Sequence, residues 1–168
     1  ISPDDKWVAT GAWDGAGVRV WDARTGRRVR ELLPGRRTSQ VAFSPDGRWL
    51  VAGTRGAYEF WEAGSWQPGR RIAVERAQLA GPMAFSPDGN VVAIACSRSV
   101  VRLIDVATGE HLAVLQSPDP IELTGFCFSS DGSQLLTVSM NRRIQVWDLR
   151  GIRRRLATMG LDWNAPPY

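Results

Sequence analysis

The chain has 168 residues, 43% of them hydrophobic, and a formal net charge of +4. That length fits one ordinary domain, and no run approaches the ~18 apolar residues that a membrane-spanning helix needs. Lys6 is the only lysine, and the arginines are scattered among acids, with Arg153-Arg154-Arg155 the single run of three; this reads as solvated loops rather than as a nucleic-acid footprint.

Short apolar stretches alternate with turn residues along the whole chain. The first group has strands at 7–10, 18–22 and 29–32, with a Thr25-Gly26 turn between the last two. The second has 41–43, 49–52, 57–61 and 71–74. The third has 83–85, 91–94, 101–105 and 111–115. The fourth has 125–128, 134–137 and 144–148. Strands of this length between turn signals, with no helical period, predict antiparallel meanders. One turn marks each group: Ser2-Pro3-Asp4-Asp5, Ser44-Pro45-Asp46-Gly47, Ser86-Pro87-Asp88-Gly89 and Ser129-Ser130-Asp131-Gly132, starting 42, 42 and 43 residues apart. Pro presets φ for the second position of a type I turn, and Gly suits the fourth. A period of about 40–45 residues is the signature of an array with one small sheet per repeat.

The order strand, Ser-Pro-Asp-Gly, strand, turn, apolar strand ending Trp-Asp, then Thr-Gly resembles the WD40 repeat. It recurs in phase over residues 1–149, with Trp-Asp or a relative at Trp21-Asp22, Trp61-Glu62, Ile104-Asp105 and Trp147-Asp148. The resemblance implies an all-β fold of about four propeller blades in an incomplete ring, the first and last blades incomplete. It places Trp21, Trp61 and Trp147, with Ile104, between blades, and Phe43, Phe85 and Phe128 in the core at one fixed phase. The Gly-His of the family is missing throughout, and its Asp in the turn before Trp-Asp survives only as Asp14 and, in the fourth repeat, Asn141. The buried polar relay is therefore largely absent, and the blades rely on apolar packing.

Residues 149–159 break the pattern. Leu149, Ile152, Leu156 and Met159 share one helical face, with Gly160 as the C-terminal stop, and residues 150–168 read as a helix plus an irregular tail. Docking of this face on the last blade is preferred to a membrane or nucleic-acid role. The first repeat begins without an inner strand and the last ends without an outer one, as expected of a C-terminal segment of a larger ring. The ending Gly-Leu-Asp-Trp-Asn-Ala-Pro-Pro-Tyr is similar to the close of WD40 regions in large bacterial proteins, some with an upstream Ser/Thr kinase domain.

Convergent catalytic groups are not evident. His111 is the only histidine, at a strand start, and reads as solvent-facing. One His and two separated Cys do not make a zinc site, and no phosphate-cradling glycine loop or kinase motif occurs. No catalytic residue, cofactor or metal is therefore expected. Cys96 and Cys127 lie in apolar strands and read as buried free thiols, which fits a reducing, cytoplasmic compartment. Of the eight tryptophans, Trp7 and Trp49 read as core, whereas Trp13 and Trp66 fall in loops and are expected to be freer.

The reading is a non-catalytic protein–protein interaction scaffold. Its partner is a protein, or another domain of the same chain, of acidic or phosphorylated character, with no nucleic acid and no membrane. The alternatives are the sensory or scaffolding tail of a bacterial Ser/Thr kinase and, against the scarcity of histidine, a propeller enzyme. The resemblance puts the partner surface on the turn before Trp-Asp and the loop before each innermost strand. Here that selects Trp13, Asp14, Arg36, Arg37, Arg55, Arg98, Asn141 and Arg142. Tryptophan with several arginines is the composition enriched in binding hot spots.

Overall fold

The computed structural model describes residues 1–74, 81–117 and 122–163. They form four antiparallel sheets and one helix. The first sheet is β1 (Trp7–Ala12), β2 (Gly17–Asp22) and β3 (Arg28–Leu32). The second is β4 (Thr38–Phe43), β5 (Trp49–Thr54), β6 (Ala57–Glu62) and β7 (Pro68–Ala73). The third is β8 (Met83–Phe85), β9 (Val91–Ala95), β10 (Val100–Asp105) and β11 (His111–Gln116). The fourth is β12 (Leu123–Phe128), β13 (Gln134–Ser139) and β14 (Ile144–Asp148), followed by α1 (Leu149–Thr158). Each sheet is a meander whose strands pair in chain order, as the turn spacing predicts.

The repeated turn satisfies itself locally. In every copy the serine hydroxyl accepts the amide N–H five residues on: Trp7 to Ser2 and Trp49 to Ser44 at 2.9 Å, Val91 to Ser86 at 2.9 Å, Gln134 to Ser129 at 3.0 Å. The same hydroxyl donates to the turn aspartate, at 2.7 Å for Ser2 to Asp4 and 2.6 Å for Ser129 to Asp131. The aspartate in turn accepts the amide two residues on. The fourth turn residue is left-handed in all copies, with φ of 71°, 74° and 73° at Gly47, Gly89 and Gly132 and 57° at Asp5, the last being a residue type that tolerates this region.

These contacts set an acid limit on the fold. Hydrogen bonds from Ser2 and Lys6 hold the Asp4 carboxyl down to about 2, and bonds from Ser129 and Ser133 do the same for Asp131. At Asp88 burial pushes upward, but the bonds from Ser86 and Asn90 outweigh it and the net shift is downward. A depressed carboxylate pKa contributes stability present above the unfolded value of about 3.9 and lost as pH falls through the folded one. The melting temperature should therefore fall between pH 4 and pH 2, and Asp131→Asn should flatten that fall. An unchanged pH profile in the variant would remove the turn carboxylates from the account.

The sheets stack face to face, and each interface is one core cluster. Val18, Val20 and Leu32 of the first blade meet Leu50, Ala52 and Trp61 of the second. Val51, Tyr58, Phe60 and Ile72 of the second meet Met83, Val92, Ile94 and Ile104 of the third. Ala93, Val101 and Leu103 of the third meet Leu123, Phe128 and Leu135 of the fourth. The buried Tyr58 hydroxyl spans the second interface, lying 3.0 Å from the carbonyl oxygens of both Gly81 and Ala95; burial pushes its pKa up.

The Trp-Asp position therefore faces backwards, toward the preceding blade, and the residue before it faces forwards. Trp61 and Ile104 are buried, as expected. Trp21 and Trp147 are only half-buried, contrary to expectation. Trp21 lies on the outer face of the first blade, which no described blade covers; Trp147 sits at the edge of the third interface, packed against its cluster. Phe128 is buried, whereas Phe43 and Phe85 are half-buried beside their clusters. The forward-facing residues Val20, Phe60 and Leu103 are 0–3% exposed, but Val146, their equivalent in the fourth blade, is 53% exposed.

The truncated relay takes two forms. Trp21 and Trp147 each donate the indole N–H to a threonine on the neighbouring strand, Thr10 and Thr137, both at 3.3 Å. In the middle blades the same strand position holds Ala52 and Ile94, so apolar packing replaces the bond. Asp14 and Asn141 serve their own turns instead, accepting the amides of Ala16 and Arg143.

Helix α1 docks as expected through Leu149, Ile152 and Leu156. Asp148 caps it by accepting the Gly151 amide, and Gly160, at φ 69°, follows its C-cap Met159. Met159 itself is exposed, since the helical face ends one residue before it. Arg153, from the basic run, is buried: it pairs with Asp162 at 3.1 Å and lies over the Trp163 ring. Residues 164–168 of the expected tail lie outside the described residues. Two further expectations fail. Trp66 is buried, because a left-handed backbone at φ 57° turns its ring edge-on to Trp7 at 5.5 Å. Cys127 is exposed, because it lies on the uncovered face of the fourth blade, whereas Cys96 is buried.

Candidate functional site: a basic cavity between the first two blades

The loop from β3 to β4 crosses from the first blade to the second and carries two arginines outward. Leu33 at φ 52° and Gly35 at φ 76° bend it. The Arg36 amide donates to the Leu33 carbonyl at 3.1 Å, and the Arg36 carbonyl accepts the Gly17 amide at 3.0 Å. Gly17 is required here, because a Cβ would run into the carbonyl oxygens of Leu32 and Leu33. Buried Thr38 completes the tie: its hydroxyl accepts the Ala12 amide at 2.8 Å and lies 3.3 Å from the Gly17 carbonyl.

Beside this loop lies a cavity of about 410 Å³ lined by Arg36, Arg37, Thr54, Arg55 and Arg71. Arg55 comes from the β5–β6 turn and Arg71 from the outer strand β7. Glu59 of β6 stands in register with Arg71. Its Oε1 is 2.7 Å from Arg36 Nη1, 3.8 Å from Arg71 Nε and 3.4 Å from the Thr54 hydroxyl. Four arginines thus line one cavity, and two of them, Arg36 and Arg71, share the Glu59 carboxylate. Among the described residues no acid is paired with Arg37 or Arg55. Guanidinium groups in this excess bind carboxylates and phosphates, with two parallel bonds per fork.

Of the expected partner-binding residues, the cavity gathers Arg36, Arg37 and Arg55. Trp13 and Asp14 are exposed on the β1–β2 turn, which approaches the same loop: a Cβ on Gly15 would lie 3.8 Å from the Gly35 carbonyl oxygen. Arg98, Asn141 and Arg142 are exposed on the corresponding turns of the third and fourth blades and do not line the cavity. Arg71 and Glu59 escape the sequence reading. The signal for them was weak: one acid within the apolar strand 57–61, opposite an arginine at the next strand's start. Among the described residues, no three His, Cys, Asp or Glu side chains come together as a metal site, and no helix is long and apolar enough to cross a membrane.

Comparison with known proteins decides the family. The model for "WD domain, G-beta repeat" matches residues 31–57 and 109–148. The chain is built of WD40 repeats. Transcription initiation factor TFIID subunit 5 of Caenorhabditis elegans is 34% identical over 137 residues, covering 76% of this chain and 21% of that protein. A WD repeat-containing protein 26 homolog of Arabidopsis thaliana is 30% identical over 156 residues, covering 89% of this chain and 25% of that protein. The WD40 chain thus spans a quarter or less of the length of these relatives. Among solved structures, Kuenenia stuttgartiensis hydrazine synthase superposes with a TM-score of 0.78 at 20% identity, over 90% of this chain and 45% of that one. At that identity the likeness shows the fold, a stack of propeller blades. WD40 repeats are protein-interaction modules as a class.

Proposed function

We propose that this WD40 chain is a non-catalytic scaffold whose basic cavity between the first and second blades receives an acidic or phosphorylated protein partner. The carrying observation is the convergence of Arg36, Arg37, Arg55 and Arg71 on one cavity, with only Arg36 and Arg71 paired to an acid, Glu59, among the described residues. Exposed Trp13, on the neighbouring turn, supplies an aromatic anchor of the kind that concentrates binding energy. The free thiol of Cys127 fits a reducing, cytoplasmic setting. The ending at residues 160–168, similar to that of bacterial WD40 regions joined to Ser/Thr kinases, supports a second reading in which the partner is a domain of the same protein.

The test is affinity capture with the wild type and with a Trp13→Ala, Arg37→Glu, Arg55→Glu variant. Partner affinity is expected to drop about a hundredfold or more, since losing two charge-assisted contacts removes upward of about 3 kcal/mol. Undiminished recovery, with the β circular dichroism spectrum intact, would place the partner surface elsewhere.

A further inference from the structure

The composition of the cavity goes beyond a general preference for acids. Glu59 already supplies one carboxylate, and that carboxylate engages Arg36 and Arg71. Arg37 and Arg55 are left with no acid among the described residues, so the cavity keeps two uncompensated forks. A partner Asp or Glu brings one charge and two oxygens, enough for one fork. A phosphate monoester brings between about 1.5 and 2 negative charges at neutral pH and three strong acceptor oxygens, enough for both. The cavity, at about 410 Å³, has the size of sites that take a small ligand group. The loop holding Arg36 and Arg37 is pinned at both ends, by the Arg36 backbone bonds and by buried Thr38. Less conformational freedom is therefore lost on binding.

We infer that Arg37 and Arg55 are a receptor for a phosphorylated side chain of the protein partner, with Arg36 and Arg71 lining the same cavity. Glu59 is the internal anion that holds Arg36 and Arg71 and competes for them. The inference rests on the proposed scaffold reading and narrows its ligand to phosphate.

The test uses the full chain, fluorescently labelled, on peptide arrays that carry phosphoserine, glutamate or serine at one fixed position in otherwise degenerate sequence. Capture on phosphoserine is expected to exceed capture on glutamate by about tenfold, as two forks are engaged instead of one. An Arg37→Gln, Arg55→Gln variant should abolish that preference; both side chains are exposed, so the fold is not at stake. Glu59→Gln should strengthen phosphoserine capture several-fold, by freeing Arg36 and Arg71. Equal capture on phosphoserine and glutamate, lost in the double variant, would overturn phosphate recognition while leaving the acidic-partner reading intact. Phosphoserine preference that survives the double variant, or absence of capture on phosphoserine, would overturn the inference. Loss of the pull-down partner, judged separately, is what bears on the scaffold reading.

Discussion

Replacing Trp61 with alanine is expected to cost about 3–5 kcal/mol, the range for deleting a large buried aromatic. Trp61 is 6% exposed and sits where the first two blades meet, among Val18, Val20, Leu32, Leu50 and Trp66. Nothing polar stands ready to fill the space, because Ala52 occupies the strand position that holds a threonine in the first and fourth blades. The loss is a large fraction of the 5–15 kcal/mol typical of a whole domain. The same change at Trp21 should cost about half as much or less, since that ring is half-buried on an uncovered face and transfer energy follows buried area. Chemical denaturation of the two variants side by side measures the difference. Equal losses, or a Trp61→Ala variant as stable as the wild type, would contradict the backward-facing position assigned to the Trp-Asp tryptophan. Because Glu59 lies two residues earlier on the same face of β6, the Trp61 variant should also loosen the hold of Glu59 on Arg36 and Arg71.

The second large effect concerns association. On the forward face of the fourth blade, Cys127, Leu136 and Val146 stand in register, as do Val138 and Ile144. Ile144 and Met140 are 65% and 69% exposed, whereas Val18, Tyr58 and Val101, at the position of Ile144 in the other blades, are 0–1% exposed. The backward face of the first blade, with half-buried Val8 and Trp21, is the kind of surface that receives such a forward face at all three internal interfaces. The purified 168-residue chain is therefore expected to associate with itself, the fourth blade of one copy on the first blade of another. This contact is head-to-tail, so nothing requires it to stop at two copies. Covering Ile144 and Val146 is worth about 3 kcal/mol or more together, so Ile144→Lys with Val146→Glu should weaken association by about a hundredfold or more. Sedimentation velocity across a concentration series reads this directly. A wild-type monomer at every concentration, melting cooperatively, would show that the uncovered faces tolerate water.

The architecture was legible because its signals are local. Each Ser-Pro-Asp-Gly turn closes through bonds that span no more than five residues, so its chemistry is written in one short stretch. The Ser129-Ser130 copy shows that the hydroxyl and the carboxylate, rather than the proline, carry it. Strand order follows from such turns, and the docked face of α1 follows from helical spacing. Exposure was less legible. Trp66 looked like a loop residue until its left-handed backbone brought it against Trp7, and Cys127 looked like core until its sheet proved to have an uncovered face. Whether a strand residue is buried depends on the blade beside it, and period-two alternation marks two faces without saying which is covered.

The same division holds for the candidate site. The arginines at 36, 37 and 55 stood out because the loop positions of the repeat are fixed by the turn spacing, and Arg98, Asn141 and Arg142 stood out for the same reason without joining them. By itself, then, the sequence determined the repeat, the strand order, the turns and the basic character of these loops, since each depends on residues a few positions apart. Only the tertiary structure decided which loops share a cavity, that Arg71 lines it with Glu59 paired beside it, and which tryptophans are covered. Those outcomes depend on how the blades pack and on residues as far apart in sequence as Arg36 and Arg71 meeting at one cavity, and no local pattern encodes that.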